Sequence, residues 1–251
     1  MKSSRFVILI LILSVILTPT SAQTTTLIDE TNTLYNQGTK FYAEGKYNEA
    51  IEAFNQFIQL KPDSASAYNN LGVAHSDSGS YLKAVENFNQ ALQLKPNYAE
   101  AHRNLGAAYY HLEQTEKAVT EYQQAIRLKP DYLLAYNDLG IALSDLNRHQ
   151  EAISMIERAV QLNPENALAF YNLGFIYSRT KQNKNAIKAF KKSLALNPNF
   201  GEARLYLAAV YLATNDRNSA FEQYSQLKTL NLGLAEKLYQ ALFRDKILTV
   251  K

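Results

Sequence analysis

The chain has 251 residues, 47% of them hydrophobic and 20% charged, with nine Gly and six Pro. That balance excludes a disordered tail protein and a collagen-like fibre. Lys plus Arg number 26 against 23 acids, a formal net charge of +3 that does not by itself demand nucleic acid as a partner. Absence of Cys excludes thiol catalysis, a disulfide scaffold, Cys-ligated zinc and lipid attachment through a cysteine.

Lys2 and Arg5 give the N-terminus a positive start, and Phe6 to Leu17 is apolar apart from Ser14. Pro19 breaks the run, and Thr20, Ser21 and Ala22 are the small residues a signal peptidase accepts. This three-part layout predicts a signal peptide over residues 1–22 and export to a periplasmic, secreted or luminal compartment. The alternative is an N-terminal membrane anchor, although the apolar run is shorter than the roughly 20 residues that span a bilayer. Residues 23–30 are Thr-rich and read as a short, poorly ordered linker.

Five of the six prolines, Pro62, Pro96, Pro130, Pro164 and Pro198, stand 34 residues apart. A period of that size means a stack of repeated supersecondary units. Alanine recurs in phase at Ala50, Ala84, Ala118, Ala152, Ala186 and Ala220. Glycine recurs at Gly38, Gly72, Gly106, Gly140 and Gly174, with Ala208 last. Phe54, Phe88, Tyr122, Ile156, Phe190 and Tyr224 form a bulky apolar column. Six units follow, at 31–64, 65–98, 99–132, 133–166, 167–200 and 201–234.

Within a unit the apolar residues recur at helical spacing, as in Tyr68, Leu71, Gly72 and His75, then Tyr81, Ala84, Val85 and Phe88. Each unit is therefore a helical hairpin. The Gly and Ala columns allow its two helices to approach closely, and Gly45, Gly79, Asn147 and Asn215 supply left-handed caps between them. Each proline stops the second helix. Beyond Leu234 the period ends, but Ala235, Leu238, Tyr239 and Leu242 share one helical face. Residues 235–251 thus read as a capping helix and tail.

These columns resemble the tetratricopeptide repeat family. The match is carried by Tyr68, Leu71, Gly72, Ala84, Phe88, Ala91 and Pro96 in the second unit, and by His102, Leu105, Gly106, Tyr109, Ala118, Tyr122, Ala125 and Pro130 in the third. The resemblance implies an all-α fold, a right-handed superhelical α-solenoid whose first helices line a concave groove. It implies a non-catalytic protein-interaction scaffold whose partner is a protein or an extended peptide. The terminal units depart from the pattern, with Gln37 and Phe57 in the first and Arg204, Ala208 and Leu232 in the last.

Little in the sequence carries chemistry. No Gly-rich phosphate loop appears, and His75, His102, His111 and His149 have no metal-ligand spacing, so neither metal nor cofactor nor small-molecule substrate is expected. The expected groove has three parts. An amide column runs Asn36, Asn70, Asn104, Asp138 and Asn172, able to meet a peptide backbone with donor and acceptor together. It can equally stabilise neighbouring helices. Tyr35, Tyr42 and Tyr110 stand near its start. Leu134, Ile141, Leu168, Tyr171 and Phe175 form an apolar set farther along, a binding patch unless the superhelix turns some of them into the core between units. A carboxylate-clamp mode is disfavoured, because the corresponding residues are Tyr35, Thr39, Asn70, Glu100 and Asn104.

One charge feature remains. Glu165 and Glu202 bracket a stretch without acids, and Lys184, Lys188, Lys191 and Lys192 fall on one face of its second helix. Such a stripe is a solvated outer face, or a surface for an acidic partner or anionic surface. The second reading makes the chain a structural or assembly subunit of an envelope or membrane complex. No nucleic acid is expected, since that face lacks interleaved aromatics.

Overall fold

The computed structural model of the chain describes residues 21–248. Most of the expected signal peptide, and residues 249–251, lie outside the described residues. Every element among the described residues is an α-helix. Six hairpins run α1 (Ser21–Ala43) with α2 (Tyr47–Leu60), α3 (Ala65–Asp77) with α4 (Tyr81–Leu94) and α5 (Ala99–His111) with α6 (Thr115–Leu128). They continue as α7 (Leu133–Asp145) with α8 (His149–Leu162), α9 (Ala167–Arg179) with α10 (Asn183–Leu196) and α11 (Gly201–Ala213) with α12 (Arg217–Leu230). The chain closes on α13 (Leu232–Leu248). Residues 23–30 are therefore not a loop but the opening turns of α1. No Gly or Pro stands between Ser21 and Gln37 to stop the helix from running through them.

Each hairpin turns by the same device. In the first, the Gly45 amide donates to the Tyr42 carbonyl and the Lys46 amide to the Phe41 carbonyl, both at 2.9 Å. These are the paired bonds of a Schellman cap, which requires a left-handed residue between them. Gly45, Gly79, Asn147 and Asn215 occupy that position with φ between 60° and 80°. Glu113 (φ 59°) and Lys181 (φ 58°) hold it as well, which their side-chain chemistry does not announce. The second helices of the first five hairpins end two residues before their prolines, as with Leu60, the cap residue Lys61 and then Pro62.

The two helices of a hairpin meet where glycine faces a bulky side chain. A Cβ on Gly72 would lie 2.6 Å from the Phe88 ring, and one on Gly106 2.8 Å from the Tyr122 ring. Phe54, Phe88, Tyr122, Ile156 and Phe190 are buried in these contacts. The last unit has Ala208 in the glycine column, and its partner Tyr224 is only half-buried. The Tyr224 ring packs with Phe221, Tyr239 and Phe243, and so contributes to seating α13.

Stacking gives the solenoid its inner and outer sides. Successive first helices touch one another, α1 with α3, α3 with α5, and on to α9 with α11. Among the described residues no second helix reaches the next second helix. The stack is thus closest on its first-helix side, which is the inside of its curve. Helix α13 packs on both α11 and α12, where a seventh first helix would sit, and buries Ala235, Leu238 and Leu242. It covers the end of a stack that has no further repeat to bury it.

Candidate functional site

The inner surface is built from one face of each first helix, so every candidate side chain recurs at one register per unit. The register next to the amide column decides how that column behaves. Asn70 Nδ2 donates to the Tyr35 hydroxyl at 3.0 Å, Asn104 Nδ2 to Asn69 Oδ1 at 3.1 Å and Asn172 Nδ2 to Asn137 Oδ1 at 3.2 Å. Arg103 Nε donates to Asp138 Oδ2 at 2.6 Å, in the same register between the third and fourth units. All four bonds join residues 35 apart and run from one first helix to the next. Asn137 and Asn172 are buried, at 3% and 6% exposure. Of the two roles expected for the column, stabilising neighbouring helices is the one these bonds serve, each of Asn70, Asn104, Asp138 and Asn172 giving one polar group to it. Asn36 alone of the column is exposed.

The aromatic member of the same register follows suit. Tyr171 places its ring 5.9 Å from Tyr206, 4.9 Å from Phe200 and 6.0 Å from Phe190. It stacks α9 on α11 where the other units use a hydrogen bond. Burial, with Tyr206 and Glu202 nearby, pushes its phenol up to about 12. Tyr171 is therefore an inter-unit residue rather than an open groove wall. The curve of the stack turns it inward, which spacing within one helix does not reveal.

A second row of contacts lies nearer the hairpin turns. The Tyr42 hydroxyl donates to Asp77 Oδ2 at 2.5 Å, and the Tyr110 hydroxyl donates to Asp145 Oδ2. Arg179 Nη1 reaches the other oxygen of Asp145 at 2.5 Å, linking the third, fourth and fifth units through one carboxylate. Burial and then the bonded carboxylate push both phenols up to about 12. Tyr35, Tyr42 and Tyr110 thus line the groove with their hydroxyls already engaged. Beside them lies a polar basin of about 240 Å³, bounded by Asp77, Arg103, Asn104 and His111 among others.

The apolar part of the groove remains open. Leu134 and Leu168 are 44% and 46% exposed on the adjacent helices α7 and α9. Ile141 and Phe175 are half-buried beside them. Phe175 meets Tyr206 edge-on at 5.3 Å and lies 5.9 Å from the Arg179 guanidinium. Together these four side chains form a shelf of large aliphatic and aromatic surface at the middle of the stack.

No arrangement for acid–base work accompanies it. His75 is buried, and burial lowers its pKa. His102 is held above its usual value by the Glu121 carboxylate, 2.6 Å from Nδ1, and its Nε2 lies 3.1 Å from the Pro96 carbonyl. His111 stacks on Tyr81 at 4.6 Å. Among the described residues no group of three His, Asp or Glu is placed to hold a metal ion.

On the outside, Lys184, Lys188, Lys191 and Lys192 are all exposed on α10. None of them forms a salt bridge among the described residues. Lys192 lies 5.9 Å from the Phe170 ring and Lys191 5.8 Å from the Tyr211 ring. No described helix is long and apolar enough to cross a membrane.

Comparison with known proteins agrees with this architecture. A family model described as a TPR repeat matches residues 38–79, and models described as tetratricopeptide repeats match 63–131, 99–165 and 167–200. No curated protein matches. Among solved structures, PilW, a type IV pilus biogenesis factor, superposes with a TM-score of 0.77 at 21% identity, over 84% of this chain and 98% of its own. PilF of Pseudomonas aeruginosa gives 0.72 at 19% identity, over 86% and 99%. MamA gives 0.59 at 27% identity, over 64% and 94%. PilW and PilF share the fold at an identity that speaks to fold alone.

Proposed function

The chain belongs to the tetratricopeptide repeat family, and we propose that it is a non-catalytic scaffold that holds a segment of a partner protein along its inner groove. The observation that carries this reading is the apolar shelf of Leu134, Ile141, Leu168 and Phe175. Two leucines on adjacent helices stand nearly half exposed at the centre of a concave surface, and exposed apolar surface gathered in this way marks binding sites. The inter-unit bonds around it fix the spacing of α5, α7 and α9 before any partner arrives, which lowers the ordering cost of binding. Selectivity comes from apolar anchors on the shelf, with the polar basin of the first three units meeting a more hydrophilic stretch of the same segment.

Phage-displayed peptides selected on the wild-type chain test this. Binding of the selected peptides is expected to fall about tenfold or more in L134D/L168D, with helicity by circular dichroism unchanged. Selected peptides that bind the double variant as well as the wild type would contradict the reading.

Export through residues 1–22 belongs to the same proposal, supported by the charged start, the apolar run and the small residues before Gln23. A second reading, an assembly subunit that docks through its outer basic face, draws on the four lysines of α10 that form no salt bridge.

A further inference from the structure

The outer face of the fifth hairpin contains a cavity of about 620 Å³ between α9 and α10, within the range that holds small ligands and single side-chain anchors. Leu173 and Ala189 form its floor, Phe170 and Tyr177 its walls, and Lys188, Lys191 and Lys192 its rim. It lies on the far side of α9 from the groove. At about 100° per residue, Phe170, Leu173 and Tyr177 point roughly opposite to Leu168, Tyr171 and Phe175.

Two side-chain choices in the fifth unit leave this cavity open, and a lysine rim sets it apart. The residue in register with Phe170 is Leu34 in the first unit and polar in the other four, where in several it makes a bond of its own. His102 lies beside Glu121 and the Pro96 carbonyl, the Tyr136 hydroxyl donates to the Pro130 carbonyl at 3.3 Å, and Arg204 donates to Gln223 and to the Pro198 carbonyl. Phe170 can make no such bond. In register with Ala189 stand Asn87, Glu121, Met155 and Gln223, all longer side chains. The first unit shares the small residue at Ala53, but there Glu52, Asn55 and Gln56 occupy the positions of Lys188, Lys191 and Lys192. An apolar cavity beneath a cationic rim is therefore found in the fifth unit alone among the six.

We propose that this cavity is a second binding site, which takes an acidic peptide segment carrying one large apolar anchor residue. The anchor fills the space over Ala189 between Phe170 and Tyr177, and flanking Asp or Glu side chains pair with Lys188, Lys191 and Lys192. The local charge is complementary to such a segment: Lys188, Lys191 and Lys192 form no salt bridge among the described residues, and the acids placed near the site are Glu157 at the Tyr177 hydroxyl and Asp216 in the field of Lys191, fewer than the lysines. This inference rests on the outer basic face being a docking surface, and is independent of the inner groove.

Fluorescence anisotropy with a labelled Gly-Glu-Asp-Phe-Asp-Glu-Gly peptide tests it on the full chain. Wild type is expected to bind, and binding should weaken about tenfold or more in A189M. That substitution fills the cavity with the residue the fourth unit already carries at Met155 and leaves every lysine in place. The same loss is expected in K188E/K192E, and for the wild type when Ser replaces the peptide's Phe. L134D/L168D should bind the peptide as wild type does, which separates this site from the groove. Equal binding of the Phe and Ser peptides, or by A189M, would overturn the cavity while leaving a purely electrostatic docking face. No binding of either peptide would overturn both. Sedimentation of the chain with phosphatidylglycerol vesicles, unaltered in A189M and without peptide binding, would assign the lysines to a lipid surface and overturn the peptide site.

Discussion

A single asparagine can face a partner or a neighbour, and in this stack the adjacent register decides. Asn172 sits on α9 at the spacing of a groove residue, yet its amide is 6% exposed and donates to the still more buried Asn137. Removing the donor leaves a buried amide oxygen without a hydrogen, at a cost of about 1–3 kcal/mol. Asn172→Ala is therefore expected to lower the stability to urea by that amount, whereas Asn36→Ala, at the exposed member of the column, should change it by less than about 0.5 kcal/mol. Equal effects of the two substitutions would contradict the division of roles. The sequence displayed the amide column and the glycine column with equal clarity. Glycine's role follows from contact within one hairpin, where local spacing suffices. The direction of an amide depends on how one hairpin sits on the next, and the same spacing serves either outcome. The spacing leaves Tyr171 open between groove and stacking roles for the same reason.

Helices and turns were legible wherever a residue type has one conformational use. Gly45, Gly79, Asn147 and Asn215 mark left-handed caps because few other residues enter that region without cost, and the prolines mark helix ends for a comparable reason. Glu113 and Lys181 hold the same conformation with ordinary side chains, so only their place in the repeat marks them. The Schellman bonds on either side over-determine the geometry, and the strain is tolerated. Glu113→Gly is expected to raise stability to urea by about 1 kcal/mol, since a left-handed residue with a Cβ carries a penalty of about 1–2 kcal/mol. A loss of stability in that variant would contradict the strain. The opposite error of reading occurred at residues 23–30, where threonines suggested a linker although nothing there interrupts α1.

At the scale of the molecule, each hairpin touches only its neighbours, and the repeat supplies two surfaces with different histories. The inner groove is shared by all units, while the outer cavity arises in one unit where Phe170 and Ala189 coincide with a lysine rim. Periodicity made the fold readable almost in full, and departures from periodicity located the second site only once the missing side chains could be seen to leave space. The account as a whole depends on the inner shelf being where a partner segment rests. Methyl NMR on the Leu- and Ile-labelled chain, titrated with a peptide selected on the wild type, tests this most directly. The methyl signals of Leu134, Ile141 and Leu168 should shift, while those of Leu60, Leu82 and Leu94, also open to solvent but on second helices, stay in place. Shifts confined to Leu60, Leu82 and Leu94, with the shelf unmoved, would contradict it.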